Sequence, residues 1–175
     1  MTVEELVARI KSSGNRNYVY HFTNRNNFAT IRSHGLLSKR KQEELGIAAL
    51  RPGGDAQSQQ TDKKRGIYND VSLSLTNNHP MGYICRNDGR QPNQVVLSID
   101  PEILFIEGVR VALGLAHSDA TRILPISQAI DEIDLQILYD SDRFPSNEFK
   151  KRIAIAEKIE VLVPNEVPKR FFDIV

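Results

Sequence analysis

The spacing of its apolar stretches constrains this chain more than any other feature. Asn17–Phe22 ("NYVYHF"), Val71–Leu75 ("VSLSL"), Val95–Ile99 ("VVLSI"), Val109–Leu113, Ile159–Val163 ("IEVLV") and Arg170–Val175 ("RFFDIV") are rich in β-branched or aromatic residues and read as strands. The intervals between them are unequal. Helical segments come early, strands recur after long irregular crossings, and the end of the chain is strand-rich. A parallel sheet of regular βαβ units needs a steadier alternation, so the order predicts an α+β fold.

The helical segments carry their own start and stop signals. Thr2 with Glu5 forms a capping box, and Val3, Leu6, Val7 and Ile10 lie on one helical stripe that Gly14-Asn15 ends. Thr23 or Asn24 caps a second helix with Phe28 and Ile31 inward, and Gly35 stops it. Further helices are expected over Arg40–Leu45, Ile130–Leu138 and Asn147–Glu157, with Pro80 at the first turn of another. Gly46–Asn69 shows almost no periodicity and is expected to be an irregular loop of the length that often serves as a lid or binding loop.

Composition narrows the function classes. At 175 residues the chain is expected to form one domain over 1–175, with 40% hydrophobic and 26% charged residues, an ordinary globular balance. No apolar run approaches the ~18 residues that span a bilayer, and "MTVEELVARIKSSG" lacks the apolar core of a signal peptide. Cys85 is the only cysteine, which excludes an intrachain disulfide and fits a reducing cytoplasm. The net charge of +1 is low for a protein that coats duplex DNA. Basic residues do cluster at Lys39–Gln42, Asp62–Arg65 and Lys150–Arg152, as solvated faces or as a local groove for a phosphate-bearing partner.

Most chemical motifs are missing. There is no phosphate-cradling GxxxxGK[ST], no GxGxxG after a strand and no nucleophile elbow. The histidines at 21, 34, 79 and 117 share no metal-ligand spacing, so no metal is expected. Two residues stand out: His21 inside an apolar strand, and Glu160 at the start of another. Taken alone, His21 reads as a satisfied core histidine and Glu160 as a strand-edge charge. Periodicity does not separate those readings from a functional one.

Three stretches in order resemble one family. His21-x-Thr23-x₃-Asn27-Phe28-x₂-Ile31-x₃-Gly35-Leu36, "DVSLSLTNNHPMGYI" and "KIEVLVPNEVP" are similar to the opening, middle and closing motifs of the DarT nucleic-acid ADP-ribosyltransferases. The resemblance implies an ADP-ribosyltransferase-like split mixed β-sheet with a central NAD+ cleft and flanking helices. It implies NAD+ as co-substrate and transfer of ADP-ribose to a base, most commonly thymidine in single-stranded DNA, with RNA or protein as alternative acceptors. A bacterial toxin role follows, with an antitoxin such as a macrodomain ADP-ribosyl hydrolase as partner. A catalytically silent NAD+ or nucleic-acid binding module is the competing class.

Carried over by residue, His21, Thr23, Asn27, Gly35 and Leu36 are expected to bind NAD+, and Glu160 falls on the family's catalytic glutamate. The family also uses an arginine from an early loop, for which Arg65 in "DKKRG" is the best match and Arg51 the reserve. Ser72-Leu73-Ser74 departs from the Pro and aromatics usual in the middle strand. The residue types suit the chemistry. Breaking the nicotinamide–ribose bond builds positive charge on a sugar carbon, as in glycoside cleavage, and a nearby carboxylate stabilises it.

Overall fold

The computed structural model describes residues 1–14, 16–50, 52, 56–140 and 146–173. Six strands form the main sheet: β1 (Val19–Asn24), β3 (Asp70–Ser74), β4 (Gln94–Ile99), β5 (Arg110–Ala112), β6 (Ile123–Pro125) and β7 (Glu160–Pro164). A small ribbon pairs β2 (Leu36–Leu37) with β8 (Glu166–Val167). The helices are α1 (Val3–Ser12), α2 (Phe28–His34), α3 (Lys39–Leu45), α4 (Ala56–Lys64), α5 (Pro80–Asn87), α6 (Ile126–Ala129), α7 (Leu135–Tyr139) and α8 (Asn147–Ala156).

The sheet runs β4-β1-β3-β7-β5-β6. The α+β architecture matches the expectation, but among the described residues every pairing is antiparallel, where a mixed sheet was expected. The order places β3 and β7, far apart in sequence, at the centre. Glu160 therefore sits opposite Ser74 on one side and Ala112 on the other.

Local signals explain the elements that frame the sheet. In α1 the Thr2 hydroxyl accepts from the Glu5 amide at 3.2 Å and the Glu5 carboxylate accepts from the Thr2 amide at 2.8 Å. That reciprocal cap satisfies two amides that the first turn leaves unpaired. It turns Leu6, Val7 and Ile10 into the core, which runs on through Val19, Ile99, Ile103 and Val161. Among the described residues no helix is long and apolar enough to cross a membrane.

Three expectations of local structure fail here. Residues of the supposed loop Gly46–Asn69 form α4, whose sequence "AQSQQTDKK" has no apolar stripe. The helix is anchored by polar contacts instead: Asp62 pairs with Lys39, and the Lys63 ammonium lies 4.3 Å from the Tyr68 ring. The supposed strand Arg170–Val175 is in its described part a 3₁₀ turn, Lys169–Phe171, because the amides of Phe171 and Phe172 bond back to Pro168 and Lys169. Ile130–Leu138, expected as one helix, is a 3₁₀ turn at Ile130–Glu132 followed by α7.

Two glycines permit close approaches. Gly35 has φ +83° and ψ −172°, and a Cβ there would come within 2.7 Å of the Val167 carbonyl oxygen. Only glycine fits that conformation comfortably, so it closes α2 against β8. Gly82 in α5 would meet the Phe22 ring at 2.7 Å, so its bare backbone lets α5 lie on β1.

Candidate active site

One cleft opens between β1, β3, the start of β7 and α5. Its empty volume is about 550 Å³. His21, Ser72, His79 and Glu160 supply polar groups, while Phe22, Met81 and Gly82 supply flat apolar wall.

His21 comes from the middle of β1, paired with Leu97 of β4. Its Nδ1 lies 3.0 Å from the Ser72 carbonyl oxygen. A carbonyl only accepts, so Nδ1 carries the proton and Nε2 of the neutral ring is left as an acceptor. Burial holds the ring's pKa below its ordinary value, against the pull of that carbonyl.

His79 is the N-cap of α5, followed by Pro80 at a position where a missing amide costs nothing. Its Nδ1 accepts from the Met81 amide at 3.2 Å, and its Nε2–H faces the Lys158 carbonyl at 3.4 Å. Burial pushes its pKa down to about 4, so this ring is neutral. Nε2 also stands 4.0 Å from Glu160 Oε1. His79 thus ties the start of α5 to the segment that leads into Glu160. Sequence reading passed over this role, although His-Pro before a helical run is itself a capping signal.

Glu160 is almost wholly buried, with 12% of its side chain exposed. Its Oε1 accepts from the Ala116 amide at 2.9 Å. Burial pushes the carboxyl up to about 7, only partly opposed by the bonds from Ala116 and from the Ser72 hydroxyl. A carboxyl poised near neutrality in a cleft is the arrangement acid–base chemistry uses. The Ser72 departure therefore has a role through its hydroxyl, which bonds to Glu160; its backbone carbonyl, which any residue would offer, orients His21.

The other residues expected at the site lie elsewhere. Thr23 and Asn27 are buried and bonded to each other, Asn27 Nδ2 donating to Thr23 Oγ1 at 3.1 Å. Gly35 and Leu36 belong to the seam with β8 and do not line the cleft. Arg65 does not reach Glu160, because its guanidinium is bonded to the carbonyls of Ala116 and Thr121. Arg51 lies outside the described residues. Asn24, expected as a cap, accepts from the Asn26 amide through its side chain, while its Nδ2 is buried without a partner at the end of β1 and outside the cleft lining. Among the described residues no group of three His, Cys, Asp or Glu could hold a metal ion.

The antiparallel sheet, with Glu160 across a cleft from His21 on a neighbouring strand, agrees with the ADP-ribosyltransferase-like architecture that the resemblance implies. Residues 20–175 match the family described as "ssDNA thymidine ADP-ribosyltransferase, DarT". The chain belongs to the DarT family.

Solved structures agree in fold. DarTG of Thermosipho africanus, in complex with ADP-ribose, superposes with a TM-score of 0.71 at 21% identity, over 89% of this chain and 42% of that one. The chain thus spans well under half the length of that relative. DarT of Thermus sp. 2.9, in complex with ADP-ribosylated ssDNA, gives 0.65 at 16% identity, over 90% of this chain and 79% of that one. The same Thermus protein with NAD+ gives 0.59 at 14%, over 93% and 82%. No curated protein matches the sequence.

Proposed function

We propose that residues 1–175 act as one NAD+-dependent ADP-ribosyltransferase domain that modifies thymidine in single-stranded DNA. Membership of the DarT family supports the reaction class and the acceptor. The observation that carries the reading at atomic level is Glu160, buried on a central strand and held by the Ala116 amide 2.9 Å away, with His21 on the same cleft.

The residues present suit NAD+. His21 Nε2 is an acceptor for a ribose hydroxyl, and the Phe22, Met81 and Gly82 wall accepts a flat nicotinamide ring. In the reaction the nicotinamide–C1′ bond breaks, nicotinamide leaves with the bonding pair, and a ring nitrogen of the base forms the new bond to C1′. Ionised Glu160 stabilises the charge that builds on that carbon and takes the proton the base nitrogen loses, a role worth ~10²–10⁴-fold. Its low-dielectric setting makes that charge more effective than it would be in water. A base inside a duplex must be unstacked before attack, so single strands are the cheaper substrate.

The biological reading is a bacterial toxin acting in the cytoplasm, restrained by an antitoxin such as a macrodomain ADP-ribosyl hydrolase. Support for it is family membership and the fold shared with DarTG. The test is incubation with labelled NAD+ and separate pools of single-stranded DNA, duplex DNA, RNA and protein. Label on single-stranded DNA is expected; label on RNA or protein alone would move the acceptor, and label on none would leave a silent binding module.

A further inference from the structure

We propose that Arg65 is a positioning residue for this reaction: it straps the 113–122 loop so that the Ala116 amide stays on the Glu160 carboxylate. The inference rests on the catalytic reading of Glu160 given above and deepens it.

The geometry is a relay through one residue's backbone. β5 ends at Ala112, directly opposite Glu160 on β7. The chain then leaves the sheet and returns at Ile123, with the base of the loop closed by the Leu113 amide on the Arg122 carbonyl at 3.0 Å. Inside the loop, turns bond Ser118 to Leu115 and Thr121 to Ser118, each at 3.0 Å. Ala116 is used at both ends: its N–H donates inward to Glu160, and its C=O accepts outward from Arg65 Nε at 3.1 Å. A second guanidinium nitrogen, Nη2, donates to the Thr121 carbonyl. One rigid fork therefore grips two carbonyls five residues apart in sequence, which a point charge does not reproduce.

Arg65 follows directly on α4, whose Lys64 also meets the loop at Asp119, 3.2 Å away. Through Arg65, the segment read from sequence as a lid is tied to the carboxylate that does the chemistry. Other groups facing Glu160 come from several elements. β3 supplies the Ser72 hydroxyl, the start of α5 supplies neutral His79, and α4 supplies Asp62, which raises the carboxyl's pKa and is itself paired with Lys39. His21 reaches it only through Ser72, and His117 acts on His79. Of these contacts, the Ala116 N–H is the one Arg65 controls, and it favours the ionised form.

The experiment compares the full chain with Arg65→Ala and Arg65→Lys. It follows transfer from weakly acidic to weakly alkaline pH, and the titration of the Glu160 side-chain carbon by NMR. In both variants the Glu160 titration and the acid limb of kcat are expected to move up by about one pH unit, the scale of a weakened hydrogen bond to a charged group. At neutral pH kcat falls about five-fold and recovers at alkaline pH, while KM for NAD+ changes by less than about three-fold. An unshifted Glu160 titration overturns the proposal. So does a KM for NAD+ raised more than about ten-fold and restored by lysine, since that is how a diphosphate contact behaves. If the unaltered chain transfers nothing, the transferase reading fails, and the NMR titration still decides the role of Arg65.

Discussion

Replacing Glu160 by glutamine should stabilise the protein while removing its activity, and the size of the gain follows from the cleft. In the unfolded chain the carboxyl has its ordinary pKa near 4.5, and in the fold burial raises it to about 7. The folded state thus holds the proton more tightly than the unfolded state does. The Glu160 contribution is intact below pH 4.5 and is lost as pH rises towards 7. At about 1.4 kcal/mol for each pH unit of that gap, the ionised carboxylate costs about 3 kcal/mol above neutrality. Glutamine keeps an oxygen for the Ala116 amide and never ionises. Its advantage should be about 3 kcal/mol at pH 8 and below about 1 kcal/mol at pH 5. For a chain of this length that corresponds to roughly 6–12 °C in Tm at pH 8. Urea unfolding of both chains at the two pH values measures it, and the burial of His21 and His79 cancels because both chains share it. A difference of the same size at pH 5 and pH 8 would refute the reasoning, since only an ionisation confined to Glu160 makes it grow with pH.

Other expectations are independent of that one. His21→Ala removes one neutral acceptor, so KM for NAD+ should rise roughly 2- to 12-fold with a smaller change in kcat, read by steady-state kinetics. Gly35→Ala forces a side chain into a conformation nearly reserved for glycine and onto the Val167 carbonyl. It should cost about 1–3 kcal/mol in urea unfolding while leaving KM for NAD+ unchanged. Gly82→Ala drives a methyl onto the Phe22 ring, which lines the cleft, so α5 must shift: KM should rise and stability fall by about 1–3 kcal/mol. The pH–rate profile of the unaltered chain should show an acid limb near pH 7, where Glu160 ionises; a limb near pH 4.5 would mean the carboxyl is not shielded from water.

How much of this was legible in the sequence depended on how each element is held. Strands β1, β3, β4 and β7 bury one face or both, so their apolar periodicity announced them to within two residues. α1 announced itself through its stripe and caps. α4 did not, because its anchors are Lys39, Tyr68 and Asp119, and ion pairs leave no hydrophobic period. The β2–β8 ribbon is two residues deep on each strand, too short for any pattern. Glu160 and His21 were readable as residues through the family motifs, but their setting was not. The Ala116 amide, the Ser72 hydroxyl and the His79 cap converge from segments 44 to 88 residues before Glu160, and only the strand order brings them together. Gly35 stood out in the motif, and the contact the fold shows for it, the Val167 backbone, lies 132 residues on and carries no local signal.

The most direct test of the central claim is the mass of a single-stranded oligonucleotide incubated with NAD+ and the full chain. An oligonucleotide containing one thymidine should gain one ADP-ribose, its thymidine-free counterpart none, and the Glu160→Gln chain should leave both unchanged. Equal modification of both oligonucleotides, or modification by the Glu160→Gln chain at the unaltered rate, would contradict it.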